Sequence, residues 1–319
     1  MVSRISRTIQ WIVRPANGFL KKGAHSVGVA RQYSGTAGRI ENCQVGVFVA
    51  YASRYGQALI DRQLYLPEPW AKDDARRAAA GVPADVGFAT KPALARRMIA
   101  EALESGLHDL GLPCAWVLAD AVYGSDHQTR QMLETRGQPY VLAIRSNHSL
   151  RLLTAEGLLQ TDPAELAAGL PPGQWQAHAA GEGAKGLRLY DWASIALPWT
   201  SAPGFRRWLL IRRGRANPRA SPGALAYYVV FAPETAGLAE LAGAAGLRWT
   251  IEDCFQRAKD DLGLDHCEAR SWQGWHRHMS LVMVAAAFLA KLAADLRRAG
   301  DPQGSKKPNE TSPTSAWAA

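Results

Sequence analysis

The chain has 319 residues, room for one large domain or two smaller ones with an ample core. Hydrophobic residues make up 47% and charged residues 20%, an ordinary soluble globular composition, whereas the net charge of +9 and pI of about 9.6 favour a polyanionic partner over an uncharged one. Cys43, Cys114, Cys254 and Cys267 are scattered without CxxC spacing, which excludes a zinc ribbon or disulfide framework and suits a reducing cytoplasm. No run of 18 or more apolar residues is present, so no membrane association is expected.

Residues 1–40 carry Arg4, Arg7, Arg14, Lys21, Lys22, Arg31 and Arg39, and the first acid is Glu41. Such a start suits a phosphate-facing surface or a truncated beginning better than an organellar targeting peptide, because Gly-rich, strand-like sequence follows at once. Thr8–Val13, Ser26–Tyr33, Gln44–Tyr51 and Gln57–Leu66 are short β-rich runs separated by glycines, spaced as an antiparallel meander. Thr90 is a helix N-cap with Pro92 in the first turn, and the helix runs to about Ser105. Cys114–Ala119 is an apolar run of strand length, suited to a central strand covered on both faces. A helix from about Asp126 to Arg136, closed by Gly137, and a strand at Tyr140–Ile144 complete an α/β unit.

From 148 to 235 prolines punctuate strand candidates at Gln174–His178, Leu187–Ile195, Arg207–Ile211 and Leu225–Phe231, a β-rich insertion. Helices follow near Gly237–Ala245, Arg248–Leu262 and Trp272–Arg298, the last apolar along one side and expected to pack on the sheet. The expected organisation is therefore a core in two parts, 1–147 and 236–299, around the insertion, with a disordered tail at 300–319.

Chemistry concentrates at few places. Asp120 closes the apolar strand, at the sheet edge where open α/β folds hold their sites; the plainer alternative is a helix-capping Asp. On a helix, Arg248, Glu252 and Lys259 fall within about 40° of one another, one carboxylate flanked by two cations. That face suits metal and phosphate binding, or else ordinary ion pairing at turn spacing. Arg206, Arg207, Arg212, Arg213, Arg215 and Arg219 crowd fourteen residues without an acid, and suit DNA phosphates or a solvated hairpin. Trp208 among them is placed to stack on a base or to pack. Lys21, Lys22 and Arg31 form a second cationic group. His276 and His278, two residues apart on a helix, face different directions and make a poor metal pair.

Five segments together carry a resemblance: Gly18 to Gly35 (GFLKKGAHSVGVARQYSG), Asn42-Cys-Gln44, Leu64-Tyr-Leu-Pro67, Ala119-Asp-Ala-Val-Tyr-Gly124, and Arg248-Trp-Thr-Ile-Glu252 through Lys259. In this order, over about residues 17–297, the chain resembles bacterial insertion-sequence transposases of the DDE type. The resemblance implies an α/β, ribonuclease H-like mixed sheet flanked by helices, with a β-strand insertion between the second and third catalytic acids. It implies Asp120 and Glu252 as catalytic metal ligands for Mg²⁺ (or Mn²⁺), with Arg248 and Lys259 on DNA phosphates. The implied partners are transposon ends and target DNA, bound by a homo-oligomer or in mixed assembly with a full-length transposase.

Three departures stand out. The family's helix signature has a tyrosine where this chain has Ala245. The family's first catalytic Asp precedes the Gly-Phe segment, where this chain has Arg14, Pro15, Ala16 and Asn17. Asn17 offers only a neutral oxygen, and Asp61 and Glu41 are the other candidates for replacement. The family's helical DNA-binding region ahead of that Asp is also missing, as expected of an N-terminally truncated copy. The sequence thus points to a metal-dependent strand-cleaving and strand-transferring transposase, impaired or inactive in this copy. The alternatives are a non-catalytic DNA-binding remnant and a sequence-unspecific nuclease.

Overall fold

The computed structural model describes residues 10–53, 56–105, 114–154, 157–183, 186–198, 202–215 and 225–300. Arg4, Arg7, Arg219 and the expected tail beyond residue 300 lie outside the described residues. The chain opens with strands β1 (Gln10–Leu20), β2 (Ala30–Ser34), β3 (Arg39–Ser53) and β4 (Gly56–Tyr65). Short helices α1 (Glu68–Ala71) and α2 (Asp74–Ala79) lead to α3 (Lys91–Glu104). Then come β5 (Trp116–Ala119), α4 (Ala121–Gly124), α5 (His127–Thr135) and β6 (Tyr140–Ile144). A small hairpin of β7 (Leu150–Thr154) and β8 (Gly157–Thr161), with α6 (Pro163–Ala168), precedes β9 (Gln176–Gly183), β10 (Gly186–Leu197), β11 (Phe205–Gly214) and β12 (Ala226–Pro233). The chain closes with α7 (Leu238–Gly246), α8 (Trp249–Asp260) and α9 (Trp272–Gly300).

Ten strands form one mixed sheet in the order β2-β3-β1-β5-β6-β12-β11-β10-β9, with β4 also on β3. Pairing of β1 with β5 and of β5 with β6 is parallel, and the rest is antiparallel. Strands β9 to β11 therefore extend the main sheet through β12, which pairs with β6 from Tyr227↔Ile144 to Phe231↔Tyr140. Their apolar patterns alone do not say which strand they will join.

The sheet is covered on both sides, which explains the unbroken apolar run of β5. One face buries Phe48, Leu118, Val141 and Leu210 under α8 and the start of α9. The other buries Val47, Val49, Val117, Ala119 and Leu142 under α3 and α5. Each fully buried large side chain contributes about 1.5–3 kcal/mol. Expected caps form as drawn from sequence: Thr90 accepts from the Ala93 amide at 3.2 Å, and Gly137 closes α5 with φ of 61°.

Strand β1 does not stop at Val13, as its sequence pattern suggests, but continues to Leu20 through a one-residue bulge between Pro15 and Gly18. A bulge is where a central strand tolerates a residue without an N–H. Gly18 is required by contact: a Cβ there would stand 2.5 Å from Ser34 Oγ.

Helix α9 is apolar on more than the side expected to face the sheet, and Trp272–Ala299 is long and apolar enough to cross a membrane by length and composition alone, a test that the core helix of a globular domain also passes. Its first half is nonetheless core: Trp275 and Met279 are fully buried, and the Trp275 ring meets Phe19 and Phe48.

At Asp126, the N-cap of α5, burial pushes the carboxyl up, but bonds from the Thr129 hydroxyl (2.6 Å) and amide (3.1 Å) and the Arg96 guanidinium (2.7 Å) outweigh it and hold the group below its ordinary value. A depressed carboxyl contributes stability above its unfolded pKa of about 3.9, and that stability is lost as pH falls through the folded value. Asp126→Asn should cost about 1 kcal/mol in urea unfolding at pH 7, and the parent and variant should converge towards pH 2. A pH-independent gap would contradict this account.

Candidate functional site

Asp120 stands at the carboxyl end of β5 and caps α4, its Oδ1 accepting from the Val122 amide at 3.0 Å. Val117 and Ala119 point into the α3 face and Trp116 and Leu118 into the other, so strand alternation turns Asp120 towards the face that carries α8. The rest of the motif explains itself by packing. Tyr123 is buried with its hydroxyl unbonded, and burial, then the Asp120 charge, hold that hydroxyl well above its ordinary pKa. Gly124 lies so close to β6 that a Cβ would sit 1.9 Å from the Ala143 carbonyl oxygen, so no side chain fits.

Helix α8 buries Ile251, Cys254, Phe255 and Ala258. Cys254 lies over Leu59 of β4, its thiol pushed up to about 11 by burial, which marks it as a packing residue. Phe255 meets Phe48 of β3 edge-to-face at 5.4 Å. Passing from Cys254 to Phe255 thus moves from β4 to β3, and the next flank of the helix turns towards β1 and β5. That flank carries Arg248, Glu252 and Lys259. Arg248 and Glu252 pair at 3.8 Å and are only 22% and 31% exposed, and Arg248 and Arg188 both lie near the Trp249 ring. The structure therefore sets Asp120 and Glu252 on one face of the sheet, on elements far apart in sequence.

Between them runs β1. Its parallel register with β5 ends at Val13↔Ala119, so the next step brings Arg14 level with Asp120, followed by the bulge at Pro15–Gly18. This is the place the resemblance reserves for the first acid, and it holds none. Asp61 does not replace it. It pairs with Val49, which pairs with Val13 and through it reaches Ala119, so three strand spacings, roughly 14 Å, intervene. It also shares the face of Val49, opposite to that of Asp120, where burial raises its pKa and Glu101 and Arg97 lie near. Glu41 fares no better: it lies seven residues along β3 from Phe48, roughly 23 Å, and pairs with Arg39 at 2.7 Å.

The cations divide into two groups. Lys21 is used internally, its Nζ donating to the Cys267 carbonyl, and Asn42 holds the same segment through bonds to the Lys21 (2.7 Å) and Gly23 (3.0 Å) carbonyls. Gln44 adds a buried bond to the Val27 carbonyl at 2.7 Å, so the Asn42-Cys-Gln44 motif is a clamp on the glycine-rich loop. Next to this loop opens a cleft of about 540 Å³ lined by Lys21, Lys22, His25, His266, Glu268 and Arg270. Lys22 and Arg31 are exposed. His266 and Arg270 carried no sequence signal, because only the fold brings the α8–α9 loop against residues 21–26.

Among the arginines of β11 and just after it, the expected phosphate role meets structural partners. Arg207 is bound in a fork by the buried Glu134, which also accepts from Tyr140 Oη at 2.6 Å. Arg212 stacks over Tyr190 at 4.6 Å and Arg213 over Trp175 at 4.1 Å. Arg213 and Arg215 both reach Asp191, at 3.3 and 3.4 Å. Trp208 is buried and packs. His276 and His278 bond to the Trp272 and Gly263 carbonyls, each at 3.0 Å, and so do not converge.

A family model of DDE superfamily endonucleases matches residues 7–194, more than half of the chain. The chain belongs to the DDE superfamily of endonucleases. No curated protein matches it. The matched span includes β1 and Asp120 and ends before α8, so Glu252 rests on its position in the fold. The superfamily implies a DNA substrate and nuclease or transposase-type chemistry, generally with divalent metal ions. The donor set that the resemblance implies does not fit a two-ion centre: Asp120 and Glu252 would supply two carboxylates, β1 beside Asp120 carries no acid, and among the described residues no group of three or more His, Cys, Asp or Glu could hold a metal.

The two classes of cation separate by experiment. Arg207→Ala should lower stability by about 3 kcal/mol, since Glu134 would be left buried without its cation, with little change in the affinity of the folded protein for DNA. Exposed Lys22→Ala should leave the unfolding midpoint in place and flatten the salt dependence of DNA binding by about one unit of slope. Equal effects of the two on DNA binding would contradict the division.

Proposed function

We propose that this chain is a transposase-type DDE protein that binds DNA through Arg248, Lys259, Lys22 and Arg31, with strand cleavage severely impaired. The observation that carries this reading is the register of β1 beside β5, which sets Arg14 and the Pro15–Ala16–Asn17 bulge next to Asp120. Asp120 and Glu252 are the two surviving acids of the active edge. Arg248 sits beside Glu252 at 3.8 Å, and Lys259 follows two turns on along the same flank of α8. Phosphate neutralisation along this flank suits a protein of net charge +9. The bound DNA would be the ends of a mobile element. The division of the chain into a two-part core around residues 148–235 belongs to the same reading.

Strand cleavage on DNA carrying terminal inverted repeats, with Mg²⁺ or Mn²⁺, tests the proposal. Expected is no cleavage above background with retained, salt-dependent binding. A variant with Pro15→Asp and Ala16→Asp restores an acid at the bulge and should raise cleavage, on the order of 10³-fold if several kcal/mol of transition-state stabilisation return. Efficient cleavage by the unaltered chain would sink the proposal.

A further inference from the structure

The hairpin of β2 and β3 ends in an exposed apolar pair. Tyr33 and Ile40 stand directly opposite each other across the two strands and are 62% and 60% exposed. Alternation along the ribbon separates two sides. Ser34 is fully buried against Gly18 of β1, which turns its side of the hairpin inward. Glu41, the one acid between Ala30 and Ser53, shares that side and pairs with Arg39 at 2.7 Å. The opposite side carries Arg31, Tyr33 and Ile40, with Asn42 at its base clamping the loop that bears the exposed Lys22. The turn, Gly35-Thr-Ala-Gly38, holds no large side chain and is tied by the Gly38 amide to the Ser34 carbonyl at 2.9 Å. Gly18 lies four residues along β1 from Arg14, the residue level with Asp120. Ser34 therefore rests roughly 13 Å from the active edge, about four base-pair steps of DNA.

We infer that, given the DNA-binding reading above, the outward side of this hairpin is a sequence-reading ribbon. It lies in the major groove of duplex DNA, with Tyr33 and Ile40 against thymine methyl groups and Arg31 on an adjoining phosphate. Size favours that groove: two strands about 4.8 Å apart, with their side chains, fit a groove ~12 Å wide and overfill one ~6 Å wide. Charge favours a polyanion, because Arg31 and Lys22 border the apolar pair while Glu41 is turned away and paired. Area disfavours a protein partner: two such side chains at on the order of 100 Å² each give roughly 200 Å², against ~800 Å² per side in a standard interface. The cations give affinity indifferent to sequence, and the Tyr33–Ile40 pair adds discrimination between base pairs.

Selection of duplexes by the full chain from a pool with a randomised centre, followed by affinity measurements on the enriched duplex, tests the inference. The enriched sequence should contain thymine. Replacing its thymines one at a time by deoxyuridine, which removes only the methyl group, should weaken binding at least ~5-fold at one position or more. That measurement uses the unaltered chain and does not depend on how a variant folds. Tyr33→Ala with Ile40→Ala should keep the melting temperature and the salt slope of binding, lose the methyl dependence, and narrow the preference for the enriched duplex over an unselected one at least ~10-fold. Salt-dependent binding without an enriched sequence, an enriched duplex indifferent to deoxyuridine, or full discrimination by the double variant would overturn the inference and leave the DNA-binding reading standing. Absence of salt-dependent binding by the unaltered chain would overturn both.

Discussion

The parallel pairing of β1 with β5 decides which residues can meet Asp120. Strand register moves only in whole residues, and a slip of one turns a strand's side chains to the opposite face of the sheet. Phe19 of β1, Val47, Phe48 and Val49 of β3, and Val117 and Leu118 of β5 all sit in the core on this register. The position beside Asp120 is therefore fixed by the packing of the whole centre of the sheet. The site cannot recruit an acid from elsewhere by a small adjustment, and Asp61 and Glu41 are held away by the same ladder.

The helices impose the complementary constraint. Cys254 and Phe255 seat α8 across β4 and β3, which leaves one flank, Arg248–Glu252–Lys259, to face the middle of the sheet. Trp275, Met279 and the Asn42–Gln44 clamp then fix the loops that border it. Scaffold and site are thus built from the same contacts. The stretch from Pro15 to Asn17, which the proposed reading places at the first acid's position, carries no acid. The bulge there accommodates a proline without an N–H, so such a sequence costs the fold little.

Much of this was legible in sequence where the signal is local. Thr90 and Asp126 announce their helices because a cap is a bond over three residues, and β5 and β6 announce themselves by length and apolar content. Arg248, Glu252 and Lys259 share a flank because helical periodicity is reliable over three turns. What sequence withheld is non-local. Arg207 finds Glu134 across 73 residues; nothing near either marks the pair, and the arginine cluster reads as DNA-facing until the sheet assembles. The joining of β12 to β6, the continuation of β1 past Val13, and the two apolar sides of α9 are likewise settled by neighbours, not by patterns within each segment.

Counting metal ions tests the central claim most directly. With Mn²⁺ as the probe, electron paramagnetic resonance titration of the full chain bound to DNA should find at most one weakly held ion, lost on Asp120→Ala. Two tightly bound, mutually coupled ions would contradict the account, because they would require a third acid that the β1–β5 register denies.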